Sequence, residues 1–142
     1  MKLFVKRKEP FWDQPMGNFT FRKLYNQMIS QNLLFTTKGM ELSGQQPPSE
    51  CLLDLFQIYY TRYNAGLDGE DRQDGAYGYS ILSPKLLGYG LITATETPNQ
   101  HLPHIREIVY RTSELGHKFH AELEKLQLKE AIEESKKRKK GK

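Results

Sequence analysis

The sequence has few of the residues that staple a small domain or span a membrane. A single cysteine, Cys51, occurs in 142 residues, which excludes an internal disulfide framework and a cysteine-built zinc site within one chain. No apolar run approaches the roughly 20 residues needed to cross a bilayer. The opening stretch MKLFVKRKEP offers only Leu3-Phe4-Val5 as an apolar core, too short for a secretory segment. These absences predict a soluble, cytoplasmic chain without membrane contact. Glycine-rich phosphate loops, nucleophile elbows, zinc-protease motifs and internal repeats are also missing. The expectation is a protein that is not an enzyme and binds no cofactor.

What the chain does have is charge, unevenly spread. The formal net charge is +4, but six cations, Lys136, Lys137, Arg138, Lys139, Lys140 and Lys142, crowd the last seven positions. Four more, Lys2, Lys6, Arg7 and Lys8, lie in the first eight. Residues 9–135 hold the remaining 11 cations against all 17 acidic residues, a net of −6. Two basic ends therefore flank an acidic body. Phosphate contacts dominate non-specific affinity for nucleic acid, so any such affinity is expected at the ends. With 37% hydrophobic residues, one domain with a modest core is the natural organisation.

Along the chain, residues 1–17, with Pro10, Phe11, Trp12 and Pro15, suggest an extended arm. Its aromatics either anchor the arm to the core or engage a partner, and self-anchoring is favoured because exposed Trp and Phe are costly in water. Phe21, Leu24, Tyr25, Met28 and Ile29 recur at helical spacing, with Asn18 or Thr20 as cap. After Gly39 and Ser43-Gly44-Gln45-Gln46-Pro47-Pro48, Ser49 is expected to open a helix carrying Leu52, Leu53, Leu55, Phe56, Ile58, Tyr59 and Tyr60. That helix is apolar over much of its circumference, hence the most buried. An acidic, glycine-rich loop spans residues 64–75. A shorter helix is expected around Ser80–Leu87, with Pro84 in its first turn and Gly88 and Gly90 at its exit.

Leu91–Thr97 and Ile105–Arg111 are rich in β-branched and aromatic residues and read as two strands. They are joined by the Pro-bounded link Pro98–His104, which predicts an antiparallel hairpin. Thr112-Ser113-Glu114 then opens a long helix running to about Glu134. Leu115, Phe119, Leu123 and Leu126 line one side of it, and Leu128 and Ile132 extend the apolar content.

Two segments carry a family resemblance. Leu86-Leu87-Gly88-Tyr89-Gly90-Leu91-Ile92 resembles the "leucine, spacer, GLI" passage from recognition helix to wing in MarR- and PadR-like winged-helix regulators. Tyr110-Arg111-Thr112-Ser113-Glu114-Leu115-Gly116 is similar to their "Y-x-L-T-x-x-G" passage from the second wing strand into the next helix, with Arg111 where leucine is usual. The likeness is specific over about residues 80–126 and positional over 18–79. It implies a mainly α fold with a small β-hairpin: a winged helix-turn-helix with flanking N- and C-terminal helices. On this reading residues 1–17 are the arm, 18–128 the winged-helix domain and 129–142 a basic tail.

The resemblance implies a reader of double-stranded DNA. Its recognition helix would present Tyr77, Tyr79, Ser80, Ser83 and Lys85, and its wing Asn99, Gln100, His101, His104 and Arg106. Lys136, Lys137, Arg138, Lys139 and Lys140 would add phosphate contacts, or else form a solubilising, disordered end. Lys85 is the only cation of the helix, and Asp68, Glu70, Asp71 and Asp74 precede it. That balance keeps a second class open: an adapter that binds a protein partner through the acidic loop 68–74, with only the basic ends touching nucleic acid. A homodimer is expected through residues 18–35 and 113–134, where Phe21, Leu24, Tyr25, Met28, Phe119, Leu123 and Leu126 offer more apolar surface than one small domain readily buries.

Other chemistry is weaker. Glu114, His117 and His120 share a helical spacing, as do His101 and His104, but a solvated face is favoured over a metal site without a third fixed ligand. Cys51, beside Leu52 and Leu53, suits a buried structural thiol better than a nucleophile. Tyr59, Tyr60 and Tyr63 suit a core better than a ligand pocket.

Overall fold

The computed structural model describes residues 10–34, 49–68 and 77–140. In it two short strands, β1 (Pro15–Met16) and β2 (Phe19–Thr20), lead into helix α1 (Phe21–Ser30). The Thr20 hydroxyl accepts from the Lys23 amide at 3.2 Å and caps α1, which selects Thr20 over Asn18 as the cap. Phe21, Leu24 and Met28 recur every third or fourth residue and are buried, as an amphipathic helix requires. Ile29, expected on that face, is 41% exposed.

Strand β3 (Asn32–Leu34) pairs antiparallel with β4 (Ser49–Cys51). This pair corrects the expectation that Ser49 begins a helix: helix α2 is Leu52–Ala65, and its first amide, Leu52, donates to the Gln31 carbonyl at 2.8 Å. The ladder to β3 holds residues 49–51 extended, so the helix starts only where pairing stops. Helix α2 buries Leu52, Leu53, Leu55, Phe56, Tyr59 and Tyr63. Ile58 lies outside that set, 47% exposed.

A π-helical turn, Gly78–Leu82, runs directly into Ser83–Gly88, and the two together form α3. The hairpin of β5 (Ile92–Pro98) and β6 (Arg106–Thr112) follows, with Ile92 opposite Thr112 and Pro98 opposite Arg106. The antiparallel pairing is as expected, moved one residue along the chain, so that Pro98 ends a strand and the tip is 99–105. Leu67 adds an isolated antiparallel bridge to Tyr110, with both amides donating across at 2.8 Å.

Helix α4 (Glu114–Lys140) closes the described chain. It continues past Glu134, and its 27 residues span about 40 Å at 1.5 Å per residue. The residues expected to be a disordered basic end are therefore helical as far as Lys140. The described residues thus form four helices and three two-stranded antiparallel sheets. None of the described helices is long and apolar enough to cross a membrane.

One core joins these elements. The Phe119 ring of α4 lies 5.3 Å from Phe21 of α1 and 6.0 Å from Phe56 of α2. Phe11 and Trp12 fold back onto Phe21, at 4.9 Å and 5.4 Å, so these two arm aromatics anchor the arm to its own domain. Fully burying an aromatic or leucine side chain contributes about 1.5–3 kcal/mol. Phe21, Leu24, Met28, Phe119, Leu123 and Leu126 are all under 9% exposed, and Tyr25 is half-buried. The surplus apolar surface on which a dimer was expected is thus covered within one chain.

The turn from the hairpin into α4 is a close backbone contact. The Ser113 amide donates to the Leu91 carbonyl at 3.0 Å, and the Ser113 hydroxyl donates to the Gly90 carbonyl at 2.6 Å. That hydroxyl oxygen also accepts from the Gly116 amide at 2.9 Å and caps α4. A Cβ on Gly116 would stand 2.0 Å from the Leu91 carbonyl oxygen. Gly116→Ala is therefore expected to destabilise the fold by at least about 2 kcal/mol, since backbone must move to relieve the overlap. Gly88→Ala, with nothing within 4 Å of the added carbon, should change stability by no more than about 1 kcal/mol. Urea unfolding midpoints measure both, and equal effects would contradict the packing described.

Candidate nucleic-acid interface

Helix α3 has two distinct faces. Tyr77, Gly78, Leu82, Ser83 and Leu86 turn inward and are buried, while Ser80, Ile81, Pro84, Lys85, Leu87 and Gly88 are exposed. Positions 80, 81, 84, 85 and 88 recur at helical spacing and share one side. The inner face is fixed by a buried polar knot. Ser83 donates from its hydroxyl to the Gly78 carbonyl at 2.6 Å, and its amide donates to the same carbonyl. Tyr63 Oη lies 2.9 Å from Ser83 Oγ and donates to the Gly78 carbonyl at 3.3 Å. Pro84 has no amide to give the Ser80 carbonyl, so the regular ladder fails there and the wider π turn forms. Gly78 is needed because a Cβ would meet the Tyr59 ring at 2.4 Å. Burial pushes the Tyr63 phenol well above its ordinary pKa, with Ser83 partly offsetting the rise.

This arrangement corrects two of the expected readers. Tyr77 and Ser83 are 5% and 0% exposed and present nothing to a ligand. Tyr79 is half-buried and holds the hairpin: its hydroxyl donates to the Ile108 carbonyl at 3.0 Å, and its ring meets Tyr110 edge-on at 5.2 Å. Burial is the main cause of its raised pKa. Ser80 and Lys85 are exposed as expected. Ile81 and Leu87, 47% and 40% exposed, were missed. The signal was available, because Ile81 falls out of phase with Gly78, Leu82 and Leu86 and in phase with Lys85.

The hairpin tip is held by its own hydrogen bonds. Asn99 Oδ1 accepts from the amides of His101 and Leu102, at 2.9 Å and 3.0 Å. Asn99 Nδ2 donates to Glu107 at 3.1 Å, and the Asn99 amide donates to the Ile105 carbonyl at 2.9 Å. Gln100, His101, His104 and Arg106 are all exposed around this tip. Arg106 stands 4.0 Å from Glu96, both well exposed, a pair of little energetic weight. Leu102 and Ile105 are exposed beside them, at 49% and 45%.

Lys136, Lys137, Arg138 and Lys139 are exposed on the last turns of α4, where every residue from 127 to 139 is exposed. Lys140 is the last residue of that helix. Arg138 pairs with Glu134 at 3.1 Å, one helical turn earlier. The expected site residues thus fall into two groups. Tyr79 joins α3 and the hairpin into one surface, and the basic end of α4 is separate in sequence and exposed on all sides. Of the acidic loop, Asp68 is half-buried, while Glu70, Asp71 and Asp74 lie outside the described residues.

The histidines of α4 pack against α2. Tyr60 stacks flat on His120 with ring centres 3.6 Å apart, and its hydroxyl hydrogen-bonds His117 Nδ1 at 2.7 Å. Glu124 takes the other side of His120 at 3.0 Å. Among the described residues no three His, Cys, Asp or Glu side chains group to hold a metal. Cys51 is half-buried, and burial raises its thiol pKa, the opposite of an activated nucleophile.

Desolvation lowers the His120 pKa below its ordinary 6.5, against the opposing pull of Glu124 and with help from His117. The folded state therefore favours neutral His120. Its contribution to stability is complete above about pH 6.5 and is lost as pH falls through the lowered value. His120→Gln should flatten the pH dependence of the unfolding midpoint below about pH 6.5, and an unchanged slope would contradict the assignment. For α3, Ser83→Ala should cost about 1–3 kcal/mol by stripping Tyr63 of its closest partner. Ser80→Ala on the outer face should stay within about 0.5 kcal/mol, and equal losses in chemical denaturation would contradict the two-faced helix. No protein-family model, curated protein or solved structure matches this chain, so its function rests on the chemistry of these surfaces.

Proposed function

We propose that the protein is a winged-helix DNA-binding regulator, in which α3 enters the major groove and the β5–β6 hairpin serves as the wing. The observation that carries this reading is the lock between the two: Tyr79 bonds the Ile108 carbonyl and packs on Tyr110, so helix and hairpin present one rigid face. A groove-reading helix gains affinity when the element beside it is already positioned, because no ordering cost falls on binding. The order of elements supports the same reading, with three helices, a hairpin edged by the Leu67 bridge, and a further helix.

The roles divide by position. Ser80 and Lys85 face the base edges, and Gln100, His101, His104 and Arg106 reach the backbone or minor groove beside them. Lys136, Lys137, Arg138 and Lys139 add sequence-independent phosphate contacts from α4, with Lys140 following. The acidic body repels phosphate elsewhere and so helps orient the approach.

A second reading is favoured by one specific observation. Ile81, Leu87, Leu102, Ile105 and Ile108, all exposed, lie on α3 and the hairpin. Exposed aliphatics on these two elements suit a protein partner, as an adapter would require. The two readings separate in a titration against a selected duplex and a scrambled one. In the DNA reader, Lys85→Ala weakens the selected duplex by about tenfold and reduces the preference. Neutralising residues 136–140 to glutamine weakens both duplexes alike and flattens the salt dependence by roughly one unit per lost phosphate contact. Equal wild-type affinity for both duplexes, unchanged by Lys85→Ala, would support the adapter instead.

A further inference from the structure

We propose that the outer face of α3 reads a thymine methyl and a guanine lying one or two base pairs apart, with Ile81 on the methyl and Lys85 on the guanine. The inference rests on the DNA-binding reading above and names the bases that this helix selects. The outer face has little on it. Ser80, Pro84 and Gly88 are small or compact, and Ile81 and Lys85 are the two long side chains on that side, with Leu87 at its edge. A lean surface of this kind lets the helix axis approach the floor of the groove. Ile81 and Lys85 are then the two side chains long enough to make distinctive contacts at the centre of that face.

The chemistry of those two groups selects their partners. The only apolar group that bases expose in the major groove is the thymine C5-methyl, and burying an exposed isoleucine against it removes two apolar surfaces from water. A lysine ammonium has donors only, so it matches guanine, which presents N7 and O6 as adjacent acceptors. Adenine offers N7 beside a competing amino donor and is the poorer match. Spacing then links the two bases. Ile81, in the π turn, and Lys85, in the α-helical part, are four residues apart on one helix face, about one turn along the axis. Base pairs rise about 3.4 Å each along the duplex, so the two contacts fall one or two steps apart.

The contact is testable atom by atom. A duplex enriched from a random library by the full-length protein is resynthesised with single dT→dU changes, which remove only the methyl, and single dG→7-deaza-dG changes, which remove only N7. Binding is read by fluorescence anisotropy at fixed salt. At one thymine the uracil change should weaken wild type by about threefold, in keeping with one buried methyl group. At a guanine one or two pairs away the deaza change should weaken it by about fivefold, as for one lost acceptor. Ile81→Ala should abolish the uracil effect and keep the deaza effect, and Lys85→Met should do the reverse. Both side chains are exposed, so unfolding midpoints should be unchanged and serve as the control for folding.

Three outcomes would overturn the inference. Sequence-specific binding that is insensitive to uracil at every thymine leaves the DNA-binding reading standing and removes this one. A uracil effect that persists in Ile81→Ala assigns the methyl to another residue. Failure of the library to enrich any sequence removes the DNA-binding reading itself and this inference with it.

Discussion

The fold depends on the meeting of Leu91 and Gly116. At that point the chain leaving α3 and the chain entering α4 touch backbone to backbone, with no room for a Cβ at Gly116. Ser113 ties the contact from both sides, donating to the carbonyls of Gly90 and Leu91 and capping α4 in the same act. Both ends of the hairpin are thereby fixed at one place. From this junction the ladder runs to Pro98 and Arg106, with Tyr79 and Leu67 holding β6 further along. From the junction α4 carries Phe119 into the ring cluster of Phe21 and Phe56, so the hairpin's base and the helical core are one rigid body.

The candidate surface is a consequence of that rigidity. The inner face of α3 is held by Tyr63, Ser83 and the Gly78 carbonyl, and its flank by Tyr79 on the hairpin. Little of the helix is left free to adapt, and what it shows outward is short: a serine, a proline, a glycine, two aliphatics and one lysine. On the proposed reading, specific contacts would come from that face and strong electrostatic attraction from the cations at the end of α4. They are carried on a helix, so their distance from the core is set by helical rise instead of by a loose chain.

Much of this was legible in the sequence, for identifiable reasons. The hairpin could be read because β-branched runs and a Pro-bounded link are local signals, and the Ser113 cap because a hydroxyl before an acidic residue is one too. The first helix followed from spacing, with Thr20 one of two caps that it allowed. What escaped was decided by long-range contact. The β3–β4 pair joins residues 32–34 to 49–51 across an intervening segment, and nothing local marks Ser49 as extended. Tyr77 and Ser83 looked like readers because polar residues on a short helix are expected outside. Ser83 is buried against Tyr63 of α2 and Tyr77 within the core, which no periodicity within α3 reveals. The residues on which a dimer was expected escaped for a related reason, since Phe21, Leu24, Met28, Phe119, Leu123 and Leu126 are buried within the chain.

The account stands or falls on whether α3 and the hairpin act as one surface toward duplex DNA. The direct measurement is a two-dimensional amide spectrum of the labelled protein, recorded as an enriched duplex is added. The account predicts that shifts concentrate on residues 80–88 and 99–106, with weaker changes at 136–139, while the amides of α1 and α2 stay in place. Shifts confined to residues 136–139, with α3 and the hairpin tip silent, would contradict it.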